Sequence, residues 1–319
     1  MNNKIIFALI VLLTTCSAYA KGNLASVYAK LETGDTLVWN VPIKNKNFHV
    51  CWSSRFDQDY DAKSNELSIY LTKGATPEQF KLNLSTDFCE VIKTDKITVL
   101  PGVTTQESLA LLKTLIPENK NQSDEEESSR LIHAIALHKG PAAFDALVTF
   151  FKKSATNEQK KHINLMAATL WDKRGYDFVI KQAAKTTDSD AMKNLIFVVS
   201  QSPIAEARTW LKKQMVKAAS KENQKEAVFW YAQTADHQNA DNTVEELVRL
   251  LEKETSQSMQ EHIIFSLSQV EDGKGLESLV KLIRTSNEPN IQQKALFWLA
   301  HSDEDKAMPI LEELLGTGH

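Results

Sequence analysis

A repeated helical pattern after residue 129 restricts the fold of this chain more than any other feature of its sequence. Four segments resemble one another at nearly constant spacing: KNLIFVVSQ, KEAVFWYAQ, EHIIFSLSQ and KALFWLAHS. Their alignment defines an aromatic column with steps of 32, 32, 36 and 32 residues: Leu165, Phe197, Phe229, Phe265 and Phe297. Ala134 lies 31 residues before Leu165 and begins the series. Periods of this length are typical of stacked helical repeats.

A second amphipathic segment follows each of these segments, so the repeat unit is a pair of helices. The second segments are residues 144–153, 176–185, 205–217, 243–253, 276–284 and 307–315. Two short helices cannot each bury an apolar face alone, but neighbouring pairs that stack share one core. The pattern therefore predicts an all-α superhelical solenoid of about six repeats over residues 129–319. It also predicts that the aromatic column is the seam of the core and that residues 236–242 hold a four-residue insertion.

Two further columns follow the same register. Polar residues end the first helices, where they are expected to satisfy orphan carbonyls: His138, Thr169, Gln201, Gln233, Gln269 and His301. Basic residues end the second helices: Lys153, Lys185, Lys217, Lys253 and Arg284. The basic column has two interpretations. Cations favour helix C-termini in general, and a basic edge of a repeat array can also bind an acidic segment of a partner protein.

The N-terminal half has a different periodicity. Residues 21–101 contain alternating apolar and polar residues, for example Leu67, Ile69 and Leu71, which is typical of half-buried antiparallel strands. We expect a small antiparallel β-sandwich or barrel there, so the whole chain is predicted to be an α+β multidomain protein. Residues 102–128 are predicted to form a connecting helix and a polar linker. The helix begins with a capping box at Thr104 and Glu107.

The first twenty residues resemble a signal peptide. Lys4 precedes an apolar run at residues 5–13, and Ala18-Tyr19-Ala20 has the small-x-small pattern of a cleavage site. We expect cleavage after Ala20, a mature chain that begins at Lys21, and a periplasmic location. A lipoprotein anchored at Cys16 is the alternative. No later apolar run approaches 18 residues, so no membrane span is expected.

Cleavage after Ala20 leaves two cysteines, Cys51 and Cys89. Two thiols in an oxidising compartment favour a disulfide. A free thiol or a metal thiolate is the alternative, although no C-x-x-C spacing is present. The formal net charge of −4 becomes −5 when Lys4 is removed with the leader. This acidity, together with export, argues against nucleic acid as a partner.

Candidate sites for metal or catalysis are weak. Asp57, Asp59 and Asp61 alternate as calcium ligands do, but Ala62 and Ser68 stand where an EF-hand loop requires glycine and glutamate. A solvated acidic turn is therefore the preferred interpretation, and no metal or cofactor is expected. The chain has no G-x-S-x-G, H-E-x-x-H or phosphate-binding glycine loop. If an enzyme is nevertheless present, the residues to test first are His49, Asp57, Asp59 and His133.

The repeat resembles the short bacterial HEAT-like repeat of the phycobilin-lyase type. The residues that carry the resemblance are 287–291 (NEPNI), 294–300 (KALFWLA) and 307–315. Upstream segments are similar to an exported bacterial HEAT-repeat family with a β-rich N-terminal domain: Trp39 with Val41-Pro42, Cys51-Trp52, and residues 87–91, 107–112 and 134–138. Two departures are its single cysteines and Gln292-Gln293, which stand where arginine is usual. They put an acid–arginine ladder between repeats in doubt.

The family that this chain resembles has no established activity, and some of its members are encoded near extracytoplasmic sigma and anti-sigma factors, which implies a signalling context. Together with the absent catalytic motifs, the resemblance favours a non-catalytic periplasmic scaffold that binds an unidentified protein partner, in envelope signalling. Two alternatives remain. One is a hydrolase or lyase with a site between the β-domain and the first repeats, and the other is a structural homo-oligomer.

Overall fold

The structure is a computed structural model that describes residues 18–19, 23–43, 66–76, 79–85, 96–116, 125–153, 156–270 and 273–302, with 307, 311–312 and 316. Contacts divide the chain into two compact units, residues 1–163 and 164–319. Several predictions fall on residues outside the described ranges. These are the disulfide between Cys51 and Cys89, the lipidation site Cys16, the acidic loop at Asp57, Asp59 and Asp61, and most of residues 307–315. In the described parts, no helix is long and apolar enough to cross a membrane.

The first unit contains one mixed β-sheet. Its strands are β1 (Ala18–Tyr19), β2 (Thr36–Pro42), β3 (Glu66–Lys73), β4 (Phe80–Ser85) and β5 (Ile97–Val99), in the order β1-β5-β2-β3-β4. β2, β3 and β4 are antiparallel, whereas β5 runs parallel to both β1 and β2. Cleavage after Ala20 would remove β1 and leave the other four strands.

The predicted sandwich or barrel is wrong, because the described strands form a single sheet that helices cover. The predicted alternation in β3 is confirmed: Leu67, Ile69 and Leu71 are completely buried, and the residues between them are partly exposed. Alternation shows that one face of a strand is buried, but not what covers it. Here α2 (Thr105–Thr114) packs on β2 and α3 (Glu125–Leu137) packs on β4.

Helix α3 also protects the edge of the sheet. β4 is the last strand in the order of the described sheet, so one side of its backbone has no neighbouring strand among the described residues. Glu127 accepts a hydrogen bond from the Leu82 amide at 2.7 Å, and Arg130 donates to the Leu82 carbonyl at 3.1 Å. Side chains from a helix thereby satisfy the backbone groups through which an open edge would pair with another chain.

The remaining helices of the first unit are α1 (Leu24–Lys30), α4 (Pro141–Lys153) and the start of α5 (Asn157–Leu170), which continues into the second unit. The predicted capping box of α2 is confirmed. Thr104 Oγ1 accepts from the Glu107 amide at 3.2 Å, and Glu107 Oε2 accepts from the Thr104 amide at 3.0 Å. The apolar side chains of this helix, which include Leu109 and Leu112, are buried.

The second unit is built from helices that follow the predicted pairs. They are α6 (Asp172–Ala183), α7 (Ser189–Ser200), α8 (Ala205–Lys217), α9 (Lys221–Gln233), α10 (Ala240–Lys253), α11 (Gln257–Ser268), α12 (Lys274–Thr285) and α13 (Pro289–Ala300). α7 packs on α9, α9 on α11, and α11 on α13, so these four form one layer, called here the inner layer. α8, α10 and α12 pack against it from the other side.

Small residues recur where a second helix approaches a first helix. Gly175, Ala207, Gly275 and Ala307 each lie ten residues after a member of the aromatic column, and all four are buried. A Cβ atom added at Gly175 would lie 1.7 Å from the carbonyl oxygen of Ala167, and one at Gly275 would lie 2.1 Å from that of Leu267. The close approach of the two backbones therefore requires glycine at these two positions.

Candidate functional site

The aromatic column does not lie in the core. Phe197, Phe229 and Phe265 are partly exposed, and Phe297 is 47% exposed. The prediction that this column forms the seam of the core is therefore wrong. Its four phenylalanines instead lie on the surface of the inner layer, one on each of the four helices.

The core is formed by residues two positions before and two positions after each column member. In the inner layer these residues are at most 4% exposed: Leu195, Val199, Ala227, Tyr231, Ile263, Leu267, Ala295 and Leu299. Residues four apart share one face of a helix. At about 100° per residue, that face lies opposite the residue midway between them. The aromatic residue is therefore turned away from the core by helical geometry.

Rings on the inner layer contact one another from helix to helix. We call this set the aromatic band: Phe197, Phe229, Trp230, Phe265, Phe297 and Trp298. Centroids of successive rings lie 4.6 to 5.9 Å apart, and the contacts run without interruption from α7 to α13. Aromatic pairs at such distances stabilise each other by about 0.5–1.5 kcal/mol. The band is thus a pre-ordered apolar strip on a surface.

The polar column borders the aromatic band at the C-terminal ends of the inner-layer helices. Its members there are Gln201, Gln233, Gln269 and His301. Three members of this polar column bond carbonyls near the ends of their own helices, but the Phe297 carbonyl also accepts the His301 amide and is therefore not an orphan. His138, Thr169 and His301 each hydrogen-bond the carbonyl four residues earlier, at 2.6 to 2.8 Å. The His301 ring also stacks on Phe297 with centroids 4.1 Å apart.

The glutamines of this column behave differently from the predicted caps. Gln233 Nε2 donates across to Gln269 Oε1 on the next helix at 3.3 Å. The amides of Gln201 and Gln269 donate to the hydroxyls of the preceding serines at 3.0 Å. Gln201 and Gln233 are exposed, and Gln269 is partly exposed. These three glutamines, called here the amide row, therefore present hydrogen-bond donors and acceptors beside the aromatic band.

A cavity of about 260 Å³ opens on the other side of the aromatic band, where α9, α11 and α13 meet. Its apolar walls are Phe265, Phe297 and Trp298, and its polar lining includes Lys225 and Lys294. Lys294 lies 3.4 Å from Glu261, which is the only carboxylate among the described residues that line the cavity. Lys225 donates to Ser258 Oγ at 2.6 Å. Two ammonium groups thus share the cavity with one carboxylate.

His262 completes the polar lining of this cavity. Burial lowers the pKa of its imidazole from the ordinary value. Its Nε2 lies 2.8 Å from the Lys225 carbonyl oxygen, which can only accept, so Nε2 carries the proton. The ring also lies 5.9 Å from that of Phe265. A neutral His262 leaves the two lysines as the only cationic groups of the lining.

The basic column lies at the positions expected from the sequence. Each member is exposed and lies within two residues of the last residue of a second helix: Lys153, Lys185, Lys217, Lys253 and Arg284. The aromatic band is on the first helices, so these residues belong to the other helix of each pair. Binding of an acidic partner by this column stays a prediction.

A second groove of about 870 Å³ lies on the α10–α12 side of the unit. Partly exposed Val244 and Val248 contribute to its floor. Much of its charged rim is paired internally, since Arg249 contacts Glu245 and Lys274 contacts both Asp241 and Glu277. The described residues that line this groove include aliphatic side chains but no aromatic ring.

The first unit contains a buried hydrogen-bonded network that the sequence analysis did not detect. Trp39 Nε1 donates to Ser108 Oγ at 2.8 Å, and Ser108 Oγ lies 2.8 Å from His138 Nε2. His138 Nδ1 lies 2.6 Å from the Ala134 carbonyl, which only accepts, so Nδ1 carries the proton and Nε2 accepts from the hydroxyl. Burial lowers the pKa of His138 to about 4.

This serine–histidine pair has the contact of a nucleophile with its base but not the access. Ser108 and His138 are 0% exposed, and Trp39 is 1% exposed. Every nitrogen and hydroxyl of the three side chains has a protein partner. A substrate therefore cannot reach the hydroxyl, and the network joins strand β2 to helices α2 and α3. Its role is structural.

His133, one of the candidate catalytic residues, lies against a second histidine, His162. The rings of His133 and His162 have centroids 4.4 Å apart, and Ser129 contacts both. Burial lowers the pKa of His133, and burial together with the neighbouring His133 lowers the pKa of His162 to about 4. The other residues proposed for a catalytic site, His49, Asp57 and Asp59, lie outside the described residues.

A metal centre finds no support among the residues that the structure describes. They contain no group of three or more histidine, cysteine, aspartate or glutamate side chains that could hold an ion.

No protein-family model matches the chain, and no curated protein matches it significantly.

Proposed function

We propose that this chain is a non-catalytic protein-interaction scaffold of the exported HEAT-like type, and that the aromatic band receives an extended segment of a partner protein. The observation that carries this proposal is the uninterrupted run of partly exposed rings across the four helices of the inner layer. In this proposal the helical pairs continue as an α-solenoid, a geometry that offers extended binding surfaces.

The band is not needed to close the core. The residues two before and two after each ring already fill the interior. Exposed aromatic residues carry a free-energy cost in water, and they are enriched among the residues that dominate protein interfaces. Ring-to-ring contacts hold the side chains in place before binding, which reduces the entropy lost on association. These properties favour recognition over packing as the role of the band.

Export and the signalling context also belong to the proposal. The apolar run at residues 5–13 and the small residues at Ala18 and Ala20 support cleavage and a periplasmic location. The buried Ser108–His138 pair is consistent with a non-catalytic role, because this serine hydroxyl is closed to substrate.

Site-specific photocrosslinking tests the proposed surface. A benzoylphenylalanine residue replaces Phe297, which is 47% exposed and tolerates a bulkier ring. In a matched control the same residue replaces Val248 in the α10–α12 groove. We expect irradiation in periplasmic extract to give discrete adducts from position 297, identifiable by mass spectrometry, and none of these from position 248.

A second substitution links the adducts to the band. Phe265→Ala removes the ring that joins Phe229 to Trp298, and it is expected to abolish the adducts while circular dichroism confirms helical folding. The same adducts from both positions, or adducts that persist in folded Phe265→Ala, would contradict the proposal. Absence of any adduct from position 297 would contradict it as well.

A further inference from the structure

We infer that the cavity beside the aromatic band binds a carboxylate carried by a proline-rich, extended segment of the partner protein. The inference rests on the proposed function and specifies the chemistry of the ligand. Three observations carry it: the charge of the cavity, its aromatic walls, and the row of glutamine amides along the opposite border.

The charge of the cavity favours an anion. Lys225 and Lys294 both line it, whereas Glu261 supplies the only carboxylate among the described lining residues. Glu261 already contacts Lys294 at 3.4 Å. Lys225 bonds only the neutral hydroxyl of Ser258, and no described carboxylate lies within 4 Å of its ammonium group. The lining therefore carries one surplus positive charge, which an incoming carboxylate neutralises through a charge-assisted hydrogen bond.

The walls of the cavity favour an apolar neighbour for that carboxylate. Rings of Phe265 and Trp298 lie 4.6 Å apart, and those of Phe297 and Trp298 lie 5.1 Å apart in a perpendicular arrangement. Aromatic-lined grooves of this kind bind proline-rich segments, whose rings pack flat on aromatic faces and whose backbone is already extended. A free inorganic anion would leave these rings uncovered.

The amide row provides partners for the ligand backbone. A polyproline II helix has no internal hydrogen bonds, so all its carbonyls remain available as acceptors. Exposed Gln201 and Gln233, with partly exposed Gln269, lie along the border of the aromatic band and can donate to such carbonyls. An α-helical ligand would have satisfied its own backbone groups and would leave these amides unused. The amides and the rings thus both favour a ligand with an extended backbone.

Fluorescence anisotropy with synthetic peptides tests the inference on the full chain. The probe is a fluorescein-labelled (Pro-Pro-Glu)4 peptide, and the matched peptides are (Pro-Pro-Gln)4 and (Gly-Ser-Glu)4. We expect the first to bind at least tenfold more tightly than either of the others at low salt. The first comparison isolates the carboxylate, and the second isolates the proline-dependent backbone.

Variants of the cavity assign the charge effect to its residues. Lys225→Gln and Lys294→Gln should each reduce the affinity for (Pro-Pro-Glu)4 severalfold and leave the affinity for (Pro-Pro-Gln)4 unchanged. Glu261→Gln removes the competing carboxylate and should tighten binding of the acidic peptide severalfold. Lys281→Gln, at an exposed position in the other groove, is the matched control and should change nothing.

The outcomes separate this inference from the proposed function. Equal binding of the acidic and neutral proline peptides, lost in Phe265→Ala, would overturn the carboxylate site and leave the aromatic band as a binding surface. Equal binding of (Pro-Pro-Glu)4 and (Gly-Ser-Glu)4 would overturn the proline-rich ligand. Failure of all three peptides would overturn the inference, whereas the crosslinks from position 297 decide the proposed function independently.

Discussion

Ser108 Oγ lies 2.8 Å from His138 Nε2, and neither side chain is reached by solvent. The two residues are separated by 30 positions in the sequence and join α2 to the residue that follows α3. Because Trp39 also donates to the same hydroxyl, one serine satisfies two buried side chains. A single hydroxyl thereby connects the sheet to α2 and to the end of α3.

The first prediction concerns this hydroxyl. Ser108→Ala leaves Trp39 Nε1 without an acceptor and His138 Nε2 without a donor, so we expect the unfolding free energy to fall by about 1–3 kcal/mol. Urea denaturation followed by circular dichroism measures the change. Ser258→Ala removes an exposed hydroxyl and should alter the unfolding free energy by less than about 0.5 kcal/mol. Equal effects of the two substitutions would show that the buried network contributes nothing.

The second prediction concerns the pH dependence of stability. The pKa of His138 is about 4 in the folded chain and 6.5 in the reference state. Between these values the unfolded chain binds a proton that the folded chain does not, so the unfolding free energy decreases as pH falls from 6.5 to 4. Above this window both states are neutral and the contribution is constant. His162 acts in the same direction, since its pKa is also lowered to about 4.

Denaturation at several pH values checks this dependence. The expected loss from His138 alone is about 3 kcal/mol at the acid end of the window. His138→Gln removes the titrating group and should reduce the slope of unfolding free energy against pH, whatever its effect on stability near neutral pH. Identical slopes for the variant and the original chain would exclude His138 as the source.

The third prediction concerns the close approach of two helices. Gly175→Ala places a Cβ atom 1.7 Å from the Ala167 carbonyl oxygen, so the backbones of α5 and α6 must separate. We expect a loss of about 1–3 kcal/mol or more in unfolding free energy. Ala207→Gly, at the equivalent position of the next pair, removes a Cβ that already fits and should cost only about 0.5–1 kcal/mol. A harmless Gly175→Ala would contradict the packing described here.

The fourth prediction separates the aromatic band from the core. Phe297 is 47% exposed, whereas Leu299 on the same helix is 0% exposed. Leu299→Ala should lower the unfolding free energy by about 2–5 kcal/mol, because it leaves a cavity. Phe297→Ser removes a ring from a surface and should cost clearly less. Thermal and urea denaturation of both variants measures the difference. A larger loss of unfolding free energy in Phe297→Ser than in Leu299→Ala would show that the aromatic column belongs to the core.

Much of the local structure was predictable because it depends on neighbours in the sequence. The capping box at Thr104 and Glu107 involves residues three apart, and the alternation of Leu67, Ile69 and Leu71 follows from the geometry of one strand. Repetition of a 32-residue pattern located the helices of the second unit for the same reason. The observed bounds of α8, residues 205–217, equal those predicted.

The candidate site was harder to predict because it depends on which way each helix faces. Phe229 and Phe265 were assigned to the core on account of their size and apolar character. The signal that opposes this assignment was present in the sequence: Ala227 and Tyr231, or Ile263 and Leu267, lie four apart and form a second apolar stripe. A helix with apolar residues on two faces does not indicate which face is buried until its neighbours are in place.

The sequence by itself determined the helix pairs of the second unit, the alternation of β3, the capping box of α2 and the register of the repeat, since each of these follows from short-range periodicity. Only the tertiary structure decided that one sheet is covered by helices, that Ser108 meets His138, and that the aromatic rings form a surface strip. The physical reason is that burial is a property of packing between elements distant in sequence. Periodicity specifies the faces of an element, and packing decides which of them water reaches.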